Sequence, residues 1–424
     1  MKLNIVIIGG GFAGINLAKE LGDNKDYQIT LVDKNNYNFF PPLIYQVATA
    51  FLEPSSISYP FRTLFAGKKN LHFRLGVLKK VVPEENKVEL SNGVLYYDHL
   101  VFATGAETNY FGIENIKKNA IPMKTLADAI KMRNILLMRM EEASISNDPE
   151  HIKKLLTLVV AGGGPTGVEI SGMFAEMKMG LLRKDYPELT GKGGDIYLVD
   201  GGKYVLSPMS EQSQVETNKA LTDMGVKLVL STHVNDFVDD TVVLSDGTKI
   251  QSKNLIWAAG VTAKVFEGIP ASFYGRGKRL LVDEFNKIKG SNNIYAIGDT
   301  CLQTSDLNFP EGHPQVAQVA IQQGKNLAKN FKLILKNEAL KSFEYKDRGS
   351  MAIIGSHKAV ADLQHPGLHL KGFIAWLAWL FIHLMSLISY RNRARTFYNW
   401  MIAYFTKDRS LRLIIKPVDE EDIV

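Results

Sequence analysis

Short apolar runs rich in β-branched residues alternate along the chain with segments whose apolar residues recur at helical spacing. LNIVII (3–8) has the composition of a strand buried in a parallel sheet, and INLAKEL (15–21) behind it reads as a helix. The next run, YQITLVDK, ends a strand at Asp33. The same order returns from Leu155: the apolar run LLTLVV, a helix after Gly167, then the strand DIYLVD ending in Asp200. Three more apolar strands break at a small residue followed by glycine, LVFATG (100–105), LIWAAG (255–260) and NNIYAIGD (292–299). Such alternation predicts an α/β protein with parallel sheets. Near the end the pattern changes. GFIAWLAWLFIHLMSLISY (372–390) runs 19 residues without Asp, Glu, Lys or Arg, and TFYNWMIAYF (396–405) follows after three arginines, which together predict paired helices.

One segment breaks the simple apolar–polar division. HPQVAQVAIQQG (313–324) predicts a helix from Gln315, with Val316, Ala317, Val319, Ala320 and Ile321 as its buried stripe and Gly324 closing its first part. Gln315, Gln318 and Gln322 then share a face at i, i+3 and i+7. Uncharged amides beside a buried stripe cost free energy unless each finds a partner. Either they bridge helices and cap loops, or they face a ligand with neutral acceptors.

The glycines carry the clearest chemistry. Gly9, Gly11 and Gly14 stand as G-x-G-x-x-G between a strand and a helix, where they permit a tight turn, backbone approach to a pyrophosphate and close helix–strand packing. Asp33 lies 19 residues after Gly14, at the strand end where an acid accepts hydrogen bonds from a ribose. Gly162, Gly164 and Gly167 repeat the motif, with Asp200 33 residues further on. Two such units predict two dinucleotides. Asp299, in the strand end IGD, suits the ribityl chain of a flavin.

Composition narrows the chemistry. The 424 residues are 46% hydrophobic, enough for two or three domains, and include a single cysteine, Cys301, which excludes a disulfide framework, a redox pair of cysteines and a multi-cysteine metal site. No metal is expected. The formal net charge of +6 is concentrated: between Lys371 and Lys416 eight basic residues face Asp408 alone. Cations interleaved with a long apolar run suit a lipid surface better than nucleic acid.

These residues resemble the two-dinucleotide-binding flavoprotein superfamily, through ATG (103–105), GGGPTGVE (162–169) and YAIGD (295–299) in order. Within it the chain is similar to the type II NADH dehydrogenases, single-chain non-pumping NADH:quinone oxidoreductases, through YNFFPPLIYQVATA (37–50), GAETNYFG (105–112), AQVAIQQG (317–324) and the apolar, basic tail. The resemblance implies two Rossmann-like domains, an FAD domain over 1–120 and 263–345 and an NADH domain over 121–262, plus a C-terminal helical membrane-anchoring region over 346–424. It implies non-covalent FAD on Gly9, Gly10, Gly11, Phe12, Ala13, Gly14, Asp33, Lys34, Leu78, Thr104, Gly105, Asp299 and Ala320. NADH, the substrate, would lie on Gly162, Gly164, Pro165, Thr166, Gly167, Asp200, Ala259 and Gly260, with Asp200 disfavouring a 2′-phosphate.

Glu169, Gln318 and Gln322 are the implied catalytic residues, the amides on a quinone headgroup. Glu169 either handles protons or positions the nicotinamide, or else simply caps a helix N-terminus. Trp379 would line the quinone's route to the flavin. The partners implied are a membrane quinone, menaquinone or ubiquinone, and a second copy in a homodimer. The tail is expected to lie in the interface as a peripheral, monotopic anchor on the cytoplasmic face of the inner or plasma membrane, although its length alone would also allow a spanning helix. Two other readings stay open: a soluble reductase of a protein electron carrier, and an NADH-sensing flavoprotein.

Overall fold

A computed structural model describes residues 2–364, 367–406 and 411–415. The chain forms two compact units, the first comprising residues 1–39, 59–107 and 261–347 and the second residues 40–58, 108–260 and 348–424.

In the first unit five parallel strands stand in the order Ile294–Ala296, His99–Phe102, Leu3–Ile8, Tyr27–Asp33 and Leu71–Leu75. The pairings Ile8↔Phe102, Ala296↔Phe102 and Ile8↔Val32 set the C-terminal strand ends side by side. The loops that leave those ends therefore meet in one crevice, as the expected Rossmann arrangement requires. An antiparallel three-stranded meander (Leu78–Val82, Lys87–Leu90, Gly93–Tyr96) packs its Leu78, Val81, Val88 and Leu90 into the core beneath the sheet.

The second unit repeats the plan. Its parallel strands run Ile121–Pro122, Asn254–Trp257, Leu158–Ala161, Ile196–Asp200 and Val226–Leu230, with the meander Val234–Val238, Thr241–Leu244 and Lys249–Gln251. Ala161 pairs with both Val199 and Trp257, so the same geometry of strand ends recurs.

Two additions belong to this second unit. The hairpin of strands Ser350–Gly355 and Lys358–Leu363, extended by Leu368–Lys371, leads into helices Gly372–Ser386 and Tyr390–Thr406. Residues 40–58, which the sequence boundaries place with the first domain, pack here instead: Asn392 Nδ2 donates to Ser56 O at 2.7 Å and to Ser58 O at 3.0 Å.

The 19-residue apolar run does not form one rod. Its helix stops at Ser386 after 15 residues, about 22 Å at the helical rise, which is short of a bilayer's hydrocarbon core of about 30 Å. Among the described residues no helix is long and apolar enough to cross a membrane. The polar residues in the run are satisfied locally: His383 Nδ1 donates to Trp379 O at 2.8 Å and Ser386 Oγ to Ile382 O at 2.6 Å. The outer side is apolar, with Ile374 66%, Phe381 65%, Phe373 53%, Phe397 52% and Met385 48% exposed.

Candidate functional site

The glycines of the first loop divide by what surrounds them. A Cβ on Gly9 would overlap Ala103 O, and one on Gly14 would overlap Gly9 O, so both positions exist to let backbone meet backbone. Gly9 also holds φ +108°, a conformation open to glycine. Gly11 has no atom within 4 Å of where its Cβ would point, and neither has Gly105. The second loop repeats this division. Gly162 abuts Ala258 O, Gly167 abuts Gly162 O, and Gly164 is open.

Each strand-end acid is anchored by the loop above it. Asp33 Oδ2 accepts from Gly10 N at 2.7 Å and its Oδ1 from Asn35 N at 2.8 Å. Asp200 accepts from Gly163 N at 2.6 Å and from Gly202 N at 2.7 Å. Burial raises the Asp33 carboxyl, against backbone N–H bonds that pull it down. The remaining lone pairs suit ribose hydroxyls, which donate without adding charge.

Around the first crevice the structure gathers most of the expected flavin residues. Gly298, at φ +75°, lies against Ala13 and Ala320, and a Cβ on it would come within 3.2 Å of Ala13 Cβ and 3.4 Å of Ala320 Cβ. The helix carrying Ala320 packs along the first helix, Phe12–Leu21, because Gly324 lets it settle onto Ala13 O. Thr104 Oγ1 is enclosed and meets no partner among the described residues. An enclosed hydroxyl, an open Gly11 and the anchored Asp33 fit a bound dinucleotide at this site. Leu78 opens its strand with its side chain in the core, and Lys34 is exposed beside Asp33.

The amide helix differs from its sequence expectation. It runs Ala317–Ile334, with Val316 as its N-cap residue, so Gln315 precedes it and donates to Asp299 O at 3.0 Å. Gly324 is an interior contact point and not a terminus. The buried stripe is Val319, Ala320, Gln323, Leu327, Ala328 and Phe331, whereas Val316 is 40% exposed. Gln322 is turned to its own structural partner: its Nε2 donates to Lys346 O at 2.9 Å and its Oε1 accepts from Lys346 N at 3.1 Å. Asn326 and Asn330, at i+4 and i+8, clasp Lys341 in the same way. Gln322 is thus one rung of an amide ladder pinning the segment 341–346. Gln318 stays half-buried in the first turn.

The buried amide is Gln323, to which the sequence assigned no site role. Its Oε1 accepts from Gly298 N at 2.7 Å and from Cys301 Sγ at 3.3 Å. Cys301 itself is buried, and burial pushes its thiol up to about 11. Asn38 was also missed; its Nδ2 holds Gly10 O at 2.9 Å. No spacing rule singles out either residue.

In the second unit Glu169 lies in the first turns of helix Pro165–Lys184, 8% exposed. Burial raises its carboxyl well above the usual carboxylate range, and a hydrogen bond from the Ile353 backbone N–H opposes this. The C-terminal hairpin supplies that N–H and two further contacts on the same helix face: Gly172 meets Ile354 O, and Glu176 accepts from Ser356 Oγ at 2.7 Å. Ala259 is exposed and Gly260 half-buried; Gly260 O accepts from Asn109 N at 3.1 Å, and Trp257 Nε1 donates to Asn109 O at 2.7 Å. Trp379 is 0% exposed, its ring stacked 3.9 Å from His383. It is a core residue of the second unit. Burial lowers His383 to about 4, so the imidazole beside it is neutral.

Residues 3–324 match the pyridine nucleotide-disulphide oxidoreductase family and residues 348–408 the NDH2 C-terminal domain. The single buried cysteine departs from the disulphide chemistry in the first name. The chain is 34% identical over 422 residues to the type II NADH:quinone oxidoreductase NdhA of Mycobacterium tuberculosis, covering 96% of this chain and 88% of that one. It is 31% identical to the external NADH-ubiquinone oxidoreductase 2 of Saccharomyces cerevisiae mitochondria, over 95% of this chain and 81% of that one. The structure of NDH2 from Plasmodium falciparum in complex with RYL-552 superposes with a TM-score of 0.89 at 25% identity, covering 98% of this chain and all of that one.

Proposed function

The chain belongs to the type II NADH:quinone oxidoreductases, and from that membership we propose the roles of its residues. The reaction is NADH + H⁺ + quinone → NAD⁺ + quinol. Bound FAD would supply the chemistry that takes hydride from NADH and returns an electron pair to the quinone. The first glycine loop with Asp33, Thr104, Gly105 and Asp299 holds FAD, and Gln323 keeps the Gly298 turn in place beside it. The second loop with Asp200 holds NADH. The anchored Asp200 carboxylate leaves no room in charge for a 2′-phosphate, so NADH is preferred to NADPH.

Gln318 offers a neutral amide to a quinone carbonyl, and Glu169 handles the proton that the balance requires. The single observation that carries the Glu169 role is a carboxyl 8% exposed on the nucleotide-binding helix, held by one backbone N–H and pushed toward its protonated form.

The apolar outer faces of helices Gly372–Ser386 and Tyr390–Thr406, with Arg391, Arg393 and Arg395 beside them, support a peripheral seat on the cytoplasmic leaflet, where the quinone resides. A homodimer is the assembly that the resemblance implies, and light scattering in detergent tests it.

Purified enzyme in mild detergent should oxidise NADH only with a quinone present, should prefer NADH to NADPH, and should lose quinone turnover on Gln318→Ala with flavin retained. A yellow protein that accepts hydride yet ignores every quinone overturns the assignment of its electron acceptor.

A further inference from the structure

The stretch Tyr37–Ala50 marks the family resemblance, yet the roles above leave its Tyr45 and Gln46 without one. Both residues are 1% exposed, on the short helix Ile44–Ala48. Trp400 Nε1 can only donate, so the Gln46 atom it meets at 2.8 Å is the carbonyl oxygen. The Gln46 amide nitrogen then faces Tyr45 and donates to the phenol oxygen at 2.9 Å. The polarity of the row is thereby set from Trp400 inward. It leaves the phenol O–H as the terminal donor, with no acceptor among the described residues.

The Ile44–Ala48 helix packs on the helix that carries Glu169. Besides burial, the Glu169 charge is the leading influence that raises Tyr45, ahead of Tyr404 and Glu176. Of the other groups facing this region, Glu176 is held by Ser356 and His383 by Trp379 O, while Arg133 on the packed helix Leu126–Ile145 is a buried cation whose Nε and one Nη meet no partner among the described residues.

We propose that Tyr45 is a positioning residue for Glu169. The row Trp400–Gln46–Tyr45 directs one neutral O–H at that carboxyl, directly or through one water, and so sets how readily it takes and yields the proton of quinone reduction. Because Trp400 belongs to the Tyr390 helix, the row also ties the apolar C-terminal helices to the acid–base group. The inference rests on the proton-handling role of Glu169.

The test is the pH profile of kcat/KM for quinone with the flavin-loaded enzyme. Tyr45→Phe removes a donor that favours the carboxylate, so the limb set by Glu169 should move up by about one pH unit. Flavin content and the KM for NADH should not change. Trp400→Phe keeps the phenol but frees Gln46 to turn, and should move the limb the same way by less. Infrared titration of the Glu169 carboxyl band reads the same shift without turnover. In a Glu169→Gln background neither substitution should move the profile. An unmoved limb and band, or a shift that persists in Glu169→Gln, overturns the proposal. A Glu169→Gln enzyme with the parental profile instead removes the proton-handling reading, and this inference falls with it.

Discussion

Replacing Glu169 by glutamine should make the protein more stable and less active, and the gain in stability should depend on pH. In the unfolded chain this carboxyl titrates near 4.5, whereas burial in the folded chain holds its proton to well above that value. Above about pH 4.5 the unfolded state therefore gives up a proton that the folded state keeps. Folding stability falls as pH rises through this window, by about 1.4 kcal/mol per pH unit, and levels off once the folded carboxyl also ionises. Glutamine cannot titrate, and its Oε1 still accepts from the Ile353 N–H, so the variant lacks this slope. Throughout this window the variant's advantage over the parent grows with pH. The assay is thermal unfolding of flavin-loaded parent and variant at pH 5, 6 and 7, each compared at the same pH. The difference in melting temperature should widen with pH, while quinone turnover drops by about tenfold or more. A difference that stays constant across this range would refute the reasoning, because it would mean that the carboxyl is already ionised in the fold.

Gln322→Ala should cost about 1 kcal/mol through the lost clasp on Lys346 and leave the quinone KM unchanged, whereas Gln318→Ala should raise that KM; steady-state kinetics and melting curves separate the two. Gly14→Ala forces a methyl into Gly9 O and should release FAD, read by flavin absorbance after desalting. Gly167→Ala makes the matching overlap with Gly162 O and should retain flavin while raising the KM for NADH at least tenfold. Phe381→Glu, on an exposed apolar position of the C-terminal helix, should lower co-sedimentation with anionic vesicles and spare turnover with a water-soluble quinone; unchanged sedimentation would remove this face from the membrane contact.

The glycine loops, their acids and the parallel strands were readable in the sequence because the physics there admits few residue types. A chain passing over its own carbonyl, as at Gly9 and Gly14, leaves no space for a Cβ, and an acid at a strand end needs only the loop N–H groups that follow from the motif. The amides were not readable in the same way. A helical wheel places Gln318, Gln322, Asn326 and Asn330 along one stripe but says nothing of what lies opposite. For three of them the answer is an extended backbone, Lys341 to Lys346, reached only after the chain has turned back. The enclosure of Trp379 was not readable either. An aromatic in an apolar run suits a lipid boundary, and its neighbour His383 gave no sign that it would stack on the ring and close it into the core.

Glu169 shows where a motif stops being informative. GGGPTGVE places the carboxylate in the first turns of a helix, where the helix dipole alone would favour its charged form by about 0.3–1 kcal/mol. Its surroundings in the fold push the other way, and they come from distant parts of the chain. Ile353 and Ile354 arrive from the C-terminal hairpin, with Gly172 admitting that strand to the helix surface, and the Ile44–Ala48 helix arrives from an early segment that leaves the first unit to join the second. Desolvation outweighs the dipole because the group is enclosed and offered one N–H where a buried carboxylate needs two or three. The C-terminal region therefore completes the enclosure that raises this carboxyl, and a chain truncated before Ser350 should lose that property along with its apolar helices.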